Sequence, residues 1–153
     1  MVKYNAIDVE NISVKTPVLA IDWGNKRLGL ALSDPTRTLA RPLCVLEHVS
    51  RPKDAMNILL KADENNVGLI IIGINYDEYN VPTISGRSAM RLLNEIKQNT
   101  ILPIIPWNET GSTKSAISSR IDIGVKKEKR KGHHDSIAAA FILQNFLDSD
   151  ENC

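Results

Sequence analysis

The run Leu69-Ile70-Ile71-Ile72, ending at Gly73, constrains this chain more than any other feature. Four apolar residues in succession, most of them β-branched, suit a strand covered on both faces. Such a strand implies parallel pairing, with helices above and below the sheet. The neighbouring segments agree. Pro52 to Asn66 carries Ala55, Ile58, Leu59 and Ala62 at helical spacing, with Pro52 near the first turn. Ser85 to Gln98 carries Ala89, Leu92, Leu93 and Ile96 on one stripe.

Upstream the period changes to two. Val18-Leu19-Ala20-Ile21-Asp22-Trp23 is an apolar run broken near its end by an acid, and Gly24-Asn25-Lys26 is a turn signal. Arg27 to Ser33 alternates Leu28, Leu30 and Leu32, so the two segments predict an antiparallel hairpin. Leu43 to Glu47, after Pro42, reads as a third strand. Ile101 to Trp107 reads as a fifth strand, and Pro103 and Pro106 assign it to a sheet edge because proline cannot donate to a ladder. A short helix is expected over Thr113–Ser119 and a final one over His134–Leu147. Three strands followed by alternating helices and strands predict an α/β domain built on a mixed sheet.

At 153 residues the chain suits one ordinary domain, which can bury about two thirds of its unfolded surface without a disulfide or metal staple. Residues 17–148 form that domain by this reading, with 1–16 as an N-terminal extension (one extra strand at most) and 149–153 as an acidic tail. With 42% hydrophobic and 24% charged residues, disordered and fibrous classes are excluded. No apolar stretch approaches the ~20 residues that span a bilayer. Met1 to Thr16 lacks the apolar core of a secretory signal, and Cys44 and Cys153 suggest no disulfide framework. A cytoplasmic setting is expected. The formal charge is +1, but Arg120 to His134 holds Arg120, Lys126, Lys127, Lys129, Arg130 and Lys131 against Asp122 and Glu128. A local basic patch on a near-neutral chain points to a local anion contact.

Three carboxylates stand where an apolar pattern stops: Asp22 at the end of the first strand, Glu109 after the last strand, and Asp135 at the start of the last helix. Each has a plain alternative role, as a turn residue, a solvated loop residue and a helix-end charge respectively. Together they suggest more. If the fourth strand lies between the first and fifth, the backbones carrying Asp22 and Glu109 are roughly 10 Å apart, within reach of converging side chains. Ala138, Ala139 and Ile142 share a helical face with Asp135, and the alanines let that helix press close to the sheet. Two carboxylates about 4 Å apart repel by roughly 4 kcal/mol at an effective dielectric of 20, so such a cluster needs protons or cations. All-oxygen ligands favour Mg²⁺ or Mn²⁺. A pair of these ions can clamp a phosphodiester during hydrolysis.

The segment Leu19-Ala20-Ile21-Asp22-Trp23-Gly24-Asn25-Lys26-Arg27-Leu28-Gly29-Leu30-Ala31-Leu32-Ser33-Asp34 resembles the opening motif of the YqgF/RuvX family of Holliday-junction-resolvase-like proteins and pre-16S rRNA nucleases. Lys126 to Lys131 followed by Asp135-Ser136-Ile137-Ala138-Ala139-Ala140-Phe141-Ile142-Leu143-Gln144 resembles its closing motif. The resemblance runs from about Val18 to Leu147. It implies an RNase H-like fold with strand order 3-2-1-4-5, and a metal-dependent endonuclease acting on precursor ribosomal RNA or Holliday junctions. It places Asp22, Glu109 and Asp135 at the family's metal-binding, catalytic acids. Two departures stand out. The family's Asp-Glu-Arg after the fifth strand is Asn108-Glu109-Thr110 here, and its Gly-x-Pro is Gly73-Ile74-Asn75. Losing the Arg removes a bidentate donor. The alternative is therefore a nucleic-acid-binding module on the same fold with impaired catalysis.

Lys26 and Arg27 in the hairpin turn, and Lys126, Lys127, Lys129, Arg130 and Lys131, are the expected contacts to a nucleic-acid backbone. His133 and His134 are weaker candidates for proton transfer. Aromatic residues make up only 5%, so structured RNA or branched DNA is expected to be read through backbone and shape. Trp23 is a core or site-wall residue, with base stacking open to it. Monomer and dimer are both compatible with the sequence. An ATP-handling protein of the actin type, suggested by Asp22-x-Gly24, would need a second nucleotide-binding half that 153 residues hardly supply.

Overall fold

In a computed structural model the chain is described over residues 16–109 and 134–149. The hairpin, the buried strand and the helices fall where the sequence periods put them. The strands are β1 (Val18–Asp22), β2 (Arg27–Ser33), β3 (Ala40–Glu47), β4 (Leu69–Ile74) and β5 (Ile104–Asn108). The helices are α1 (Arg51–Glu64), α2 (Ile84–Lys97) and α3 (His134–Leu147). They form one sheet of order β3-β2-β1-β4-β5. β1–β2 and β2–β3 pair antiparallel, while β1–β4 and β4–β5 pair parallel. β1 is thus the strand at which the sheet changes direction.

Side-chain alternation divides the core into two layers. Leu19 and Ile21 of β1, with Ile70, Ile72 and Ile74 of β4, pack against Ala55, Ile58 and Ala62 of α1 and Ala89, Leu92 and Ile96 of α2. Val18 and Ala20, with Ala31 and Ile71, face the other way and pack against Ala139, Ala140, Leu143 and Phe146 of α3. The uninterrupted apolar run of β4 is therefore covered on both faces, as its composition requires.

Helix starts follow capping chemistry. The Ser50 side chain accepts from the Lys53 N–H ahead of α1, with Pro52 in the first turn, and Thr83 accepts from the Gly86 N–H ahead of α2. α3 is fastened by Gln144, which is 1% exposed. Its amide accepts from the Ala40 N–H at 2.9 Å and donates to the Thr38 carbonyl at 3.1 Å, tying the helix to the entry of β3.

The helix ends shift by one or two residues from the sequence reading, and two strand starts differ by more. β3 starts at Ala40 and runs through Pro42, not after it. An edge strand tolerates that residue, and the β2–β3 register shifts between Leu30 and Ala31, where Pro42 pairs. β5 starts at Ile104, so Ile101 and Leu102 lie outside it, although Pro106 does sit in an edge strand as expected. The extension up to residue 15, the helix expected over 113–119 and residues 150–153 lie outside the described residues. Among the described residues no helix is long and apolar enough to cross a membrane.

Candidate active site

The parity that builds the core also aims the three acids. Asp22 lies two residues beyond Ala20, on the α3 face of β1. Ile105 and Trp107 pack in the α3 layer, so Glu109, two residues further on, emerges on the same face. Its N–H bonds to the Ile74 carbonyl at 3.2 Å, which holds it at the end of β4. Asp135 opens α3 itself.

Two glycines make room for this convergence. Gly29 is the cross-strand partner of Asp22, and a Cβ on it would come within 1.8 Å of the Asp135 carbonyl oxygen. The first turn of α3 therefore rests directly on β2, beside Asp22. On the other flank, a Cβ on Gly73 would come within 2.7 Å of both Glu109 Oε2 and Ile142 Cδ1. The Glu109 carboxylate thus lies over β4, on the side from which β1 is reached. Asp22 has a side-chain-free position to either side of it, one occupied by the backbone of Asp135 and the other by the carboxylate of Glu109. Glycine inside a strand commonly marks such a close approach.

The ion pair Arg27–Asp135 closes one edge of this arrangement, with Nε donating to Oδ2 at 3.2 Å. Arg27 has the same strand parity as Gly29 and Ala31, hence its reach onto the α3 face. The sequence reading gave Arg27 to a substrate phosphate; here its partner is an acid of the site. Lys26 is exposed in the turn. Lys126, Lys127, Lys129, Arg130, Lys131 and His133 lie outside the described residues, as does Thr110.

Carboxylate oxygens from Asp22, Glu109 and Asp135 are hard donors that suit Mg²⁺ or Mn²⁺. The donor chemistry fits such an ion. The side chains as placed are not yet a ligand set: among the described residues no group of three His, Cys, Asp or Glu is disposed to hold a metal. Asp135 gives its Oδ2 to Arg27, so recruiting that oxygen to a shared ion means exchanging the ion pair.

The strand order matches a known architecture. The family model described as "RuvX: Holliday junction resolvase" matches residues 16–149. The chain belongs to the RuvX family. Curated relatives named "Putative pre-16S rRNA nuclease" include proteins from Rickettsia conorii (33% identical, covering 89% of this chain and 88% of the relative) and Thermoanaerobacter pseudethanolicus (34%, 88% and 98%). Solved structures similar to this RuvX-family chain include Thermus thermophilus RuvC in complex with a Holliday junction substrate. It has a TM-score of 0.59 at 15% identity, covering 85% of this chain and 91% of RuvC. The fowlpox virus Holliday junction resolvase has a TM-score of 0.52 at 16% identity, covering 86% and 98%. The fold is RNase H-like, with the 3-2-1-4-5 sheet.

Sequence reading missed the part played by Gly29 and by the Arg27–Asp135 pair. A glycine on the alternate, non-leucine positions of β2 was the available signal for the first. Nothing in the sequence announced the second, since the two residues are 108 positions apart.

Proposed function

We propose that this protein is a metal-dependent endonuclease that hydrolyses phosphodiester bonds in structured nucleic acid. Precursor ribosomal RNA is the leading substrate and branched DNA the next. The single observation carrying this reading is the glycine-flanked placement of Asp22 between Asp135 and Glu109. The names borne by the relatives support the ribosomal RNA substrate.

In this reading Asp22, Glu109 and Asp135 hold Mg²⁺ or Mn²⁺. When bound, the ion activates water and neutralises charge on the leaving oxygen. The protein's own contributions are positional. Gly29 and Gly73 keep the carboxylates within one site. The packing of α3 on the sheet fixes where Asp135 starts. Arg27, held beside Asp135, has a second use. Its remaining guanidinium N–H groups can take a substrate phosphate beside that acid. Lys26 and the basic run Lys126–Lys131 bind the flanking backbone.

Asn108 and Thr110 motivate the second reading, a binding module with impaired catalysis. One experiment separates the two. Labelled precursor ribosomal RNA and labelled four-way DNA junctions are incubated with protein and Mn²⁺, or with chelator. Cleavage that needs Mn²⁺ and is lost in Asp22→Asn and Asp135→Asn supports the nuclease. Binding with no cleavage supports the module. Cleavage in chelator, or undiminished in both variants, contradicts the assigned roles.

A further inference from the structure

The opposite face of the same sheet end carries a feature the proposed chemistry does not use. A cavity of about 280 Å³ is lined by Trp23, His48, Ser50, Arg51, Asp54 and Ser88. Trp23 packs in the α1/α2 layer, because it is one residue past Asp22 and so projects to the other side of β1. It is half-buried and also walls an adjoining hollow with Gly24, Asn25, Ile84 and Ser85. Asp54 forms the floor and is 1% exposed. Its carboxylate is consumed internally: Oδ2 is bonded to His48 Nδ1, and Oδ1 accepts from the Val49 N–H at 3.0 Å. Both carboxylate oxygens are thus engaged within the protein before any ligand arrives. With Nδ1 held by Asp54, His48 keeps Nε2 for a ligand. Arg51 is exposed at the rim.

An aromatic wall, a rim guanidinium, a fixed imidazole and two hydroxyls make a set suited to one nucleotide. The indole offers a stacking face. Arg51 offers a phosphate fork. Nε2 of His48 and the hydroxyls of Ser50 and Ser88 offer partners for a sugar or base edge. The volume sits near the lower end of the ~300–1,000 Å³ usual for small-ligand pockets, room for one base and not for a duplex. The position is apt too, since open α/β sheets bind ligands beyond the carboxyl ends of their strands where the topology switches, which here is β1.

We propose that this cavity is a nucleotide subsite: it takes one unpaired nucleotide of the substrate, base against Trp23 and phosphate against Arg51. The proposal rests on the nuclease reading and adds to it. Asp22 and Trp23 are consecutive residues on opposite faces, so a strand anchored in the cavity crosses the end of β1 toward the carboxylates. The site would therefore favour cleavage next to an unpaired base over cleavage within a continuous duplex.

The test uses two probes in chelator, a short single-stranded oligoribonucleotide and a blunt duplex of the same sequence, each end-labelled. Binding is followed by anisotropy of the label. Trp23 is followed by its own emission in Trp107→Phe, which leaves it the only indole of the two in the chain. The single strand should quench Trp23 emission on binding, and the duplex should not. Arg51→Gln, an exposed change made in the parent background, and Trp23→Ala should each weaken single-strand binding on the order of tenfold. Anisotropy changes without quenching, equal quenching by the duplex, or Arg51→Gln binding like the parent would each overturn the subsite. All three leave the nuclease reading standing. Binding of neither probe would remove the subsite and the nucleic-acid reading together.

Discussion

Gly29 and Gly73 flank Asp22 but differ in what their absent side chains would strike, and this separates two kinds of loss. At Gly29 the obstacle is the backbone of Asp135, at 1.8 Å for its oxygen and 2.1 Å for its carbon, which cannot yield without displacing α3. Gly29→Ala should destabilise the fold by about 1–3 kcal/mol, read as a lowered urea midpoint. At Gly73 the obstacles are the ends of two side chains, Glu109 and Ile142. Gly73→Ala should cost less stability than Gly29→Ala but displace the Glu109 carboxylate, so cleavage falls while the midpoint stays near the parent's. Asp22→Asn should reduce cleavage on the order of 100-fold or more without lowering thermal stability, since it relieves repulsion among acids. Away from the site, Asp34 shows how local hydrogen bonds set a carboxyl. Burial raises its pKa, but the backbone N–H groups of Leu39, Thr38 and Thr36 and the Thr36 hydroxyl prevail and lower it from 3.8 to about 2. A depressed folded value means that the unfolded chain takes up the proton first. The stabilisation is complete above about pH 4 and is lost as pH falls toward about 2. Asp34→Asn should flatten this acid limb, measured as unfolding free energy between about pH 5 and about pH 2.5.

Elements, more than single residues, decided how far the sequence could be read. β4 and its flanking helices were legible because apolar periodicity is a local property. The order of the sheet's edge strands was partly legible because prolines cannot occupy a central ladder, and Pro106 marks β5 as an edge. The same rule hid the start of β3, where the edge position and the register shift opposite Ala31 accommodate Pro42. The convergence of Asp22, Glu109 and Asp135 on one face could be suggested from strand spacing, but its means could not. It depends on Gly29 meeting α3 across more than a hundred residues of chain. The pairing of His48 with Asp54 spans only six residues, yet it depends on how the turn before α1 folds, which periodicity does not report. α3 carries the element-scale prediction. Gln144 satisfies a backbone donor and a backbone acceptor in the β2–β3 connection while itself buried. Gln144→Leu keeps the volume but leaves both groups unmet, and should cost about 1–3 kcal/mol. Hydrogen exchange at the Ala40 amide should accelerate alongside the fall in stability.

At the scale of the molecule, charge is divided in the manner of a protein that grips a polyanion locally. The acids gather at the carboxyl end of β1 and β5, while Lys26, Arg27 and the run Lys126–Lys131 supply the opposite sign. Binding to precursor ribosomal RNA should therefore weaken steeply with salt. Replacing Lys127, Lys129 and Arg130 together with Gln should reduce the slope of log K against log salt by about 2–3, whatever the substrate sequence. The fold supplies the frame, a direction-changing strand with α3 on one face and α1 and α2 on the other, and the site is built where that strand ends. The most direct measurement of the central claim is Mn²⁺ binding followed by electron paramagnetic resonance, without substrate, in the parent and in Asp22→Asn, Glu109→Gln and Asp135→Asn. A single site formed by the three carboxylates predicts that each substitution weakens binding at least about tenfold and that no pair of variants retains the parent's affinity. Parental Mn²⁺ affinity in any of the three would contradict it.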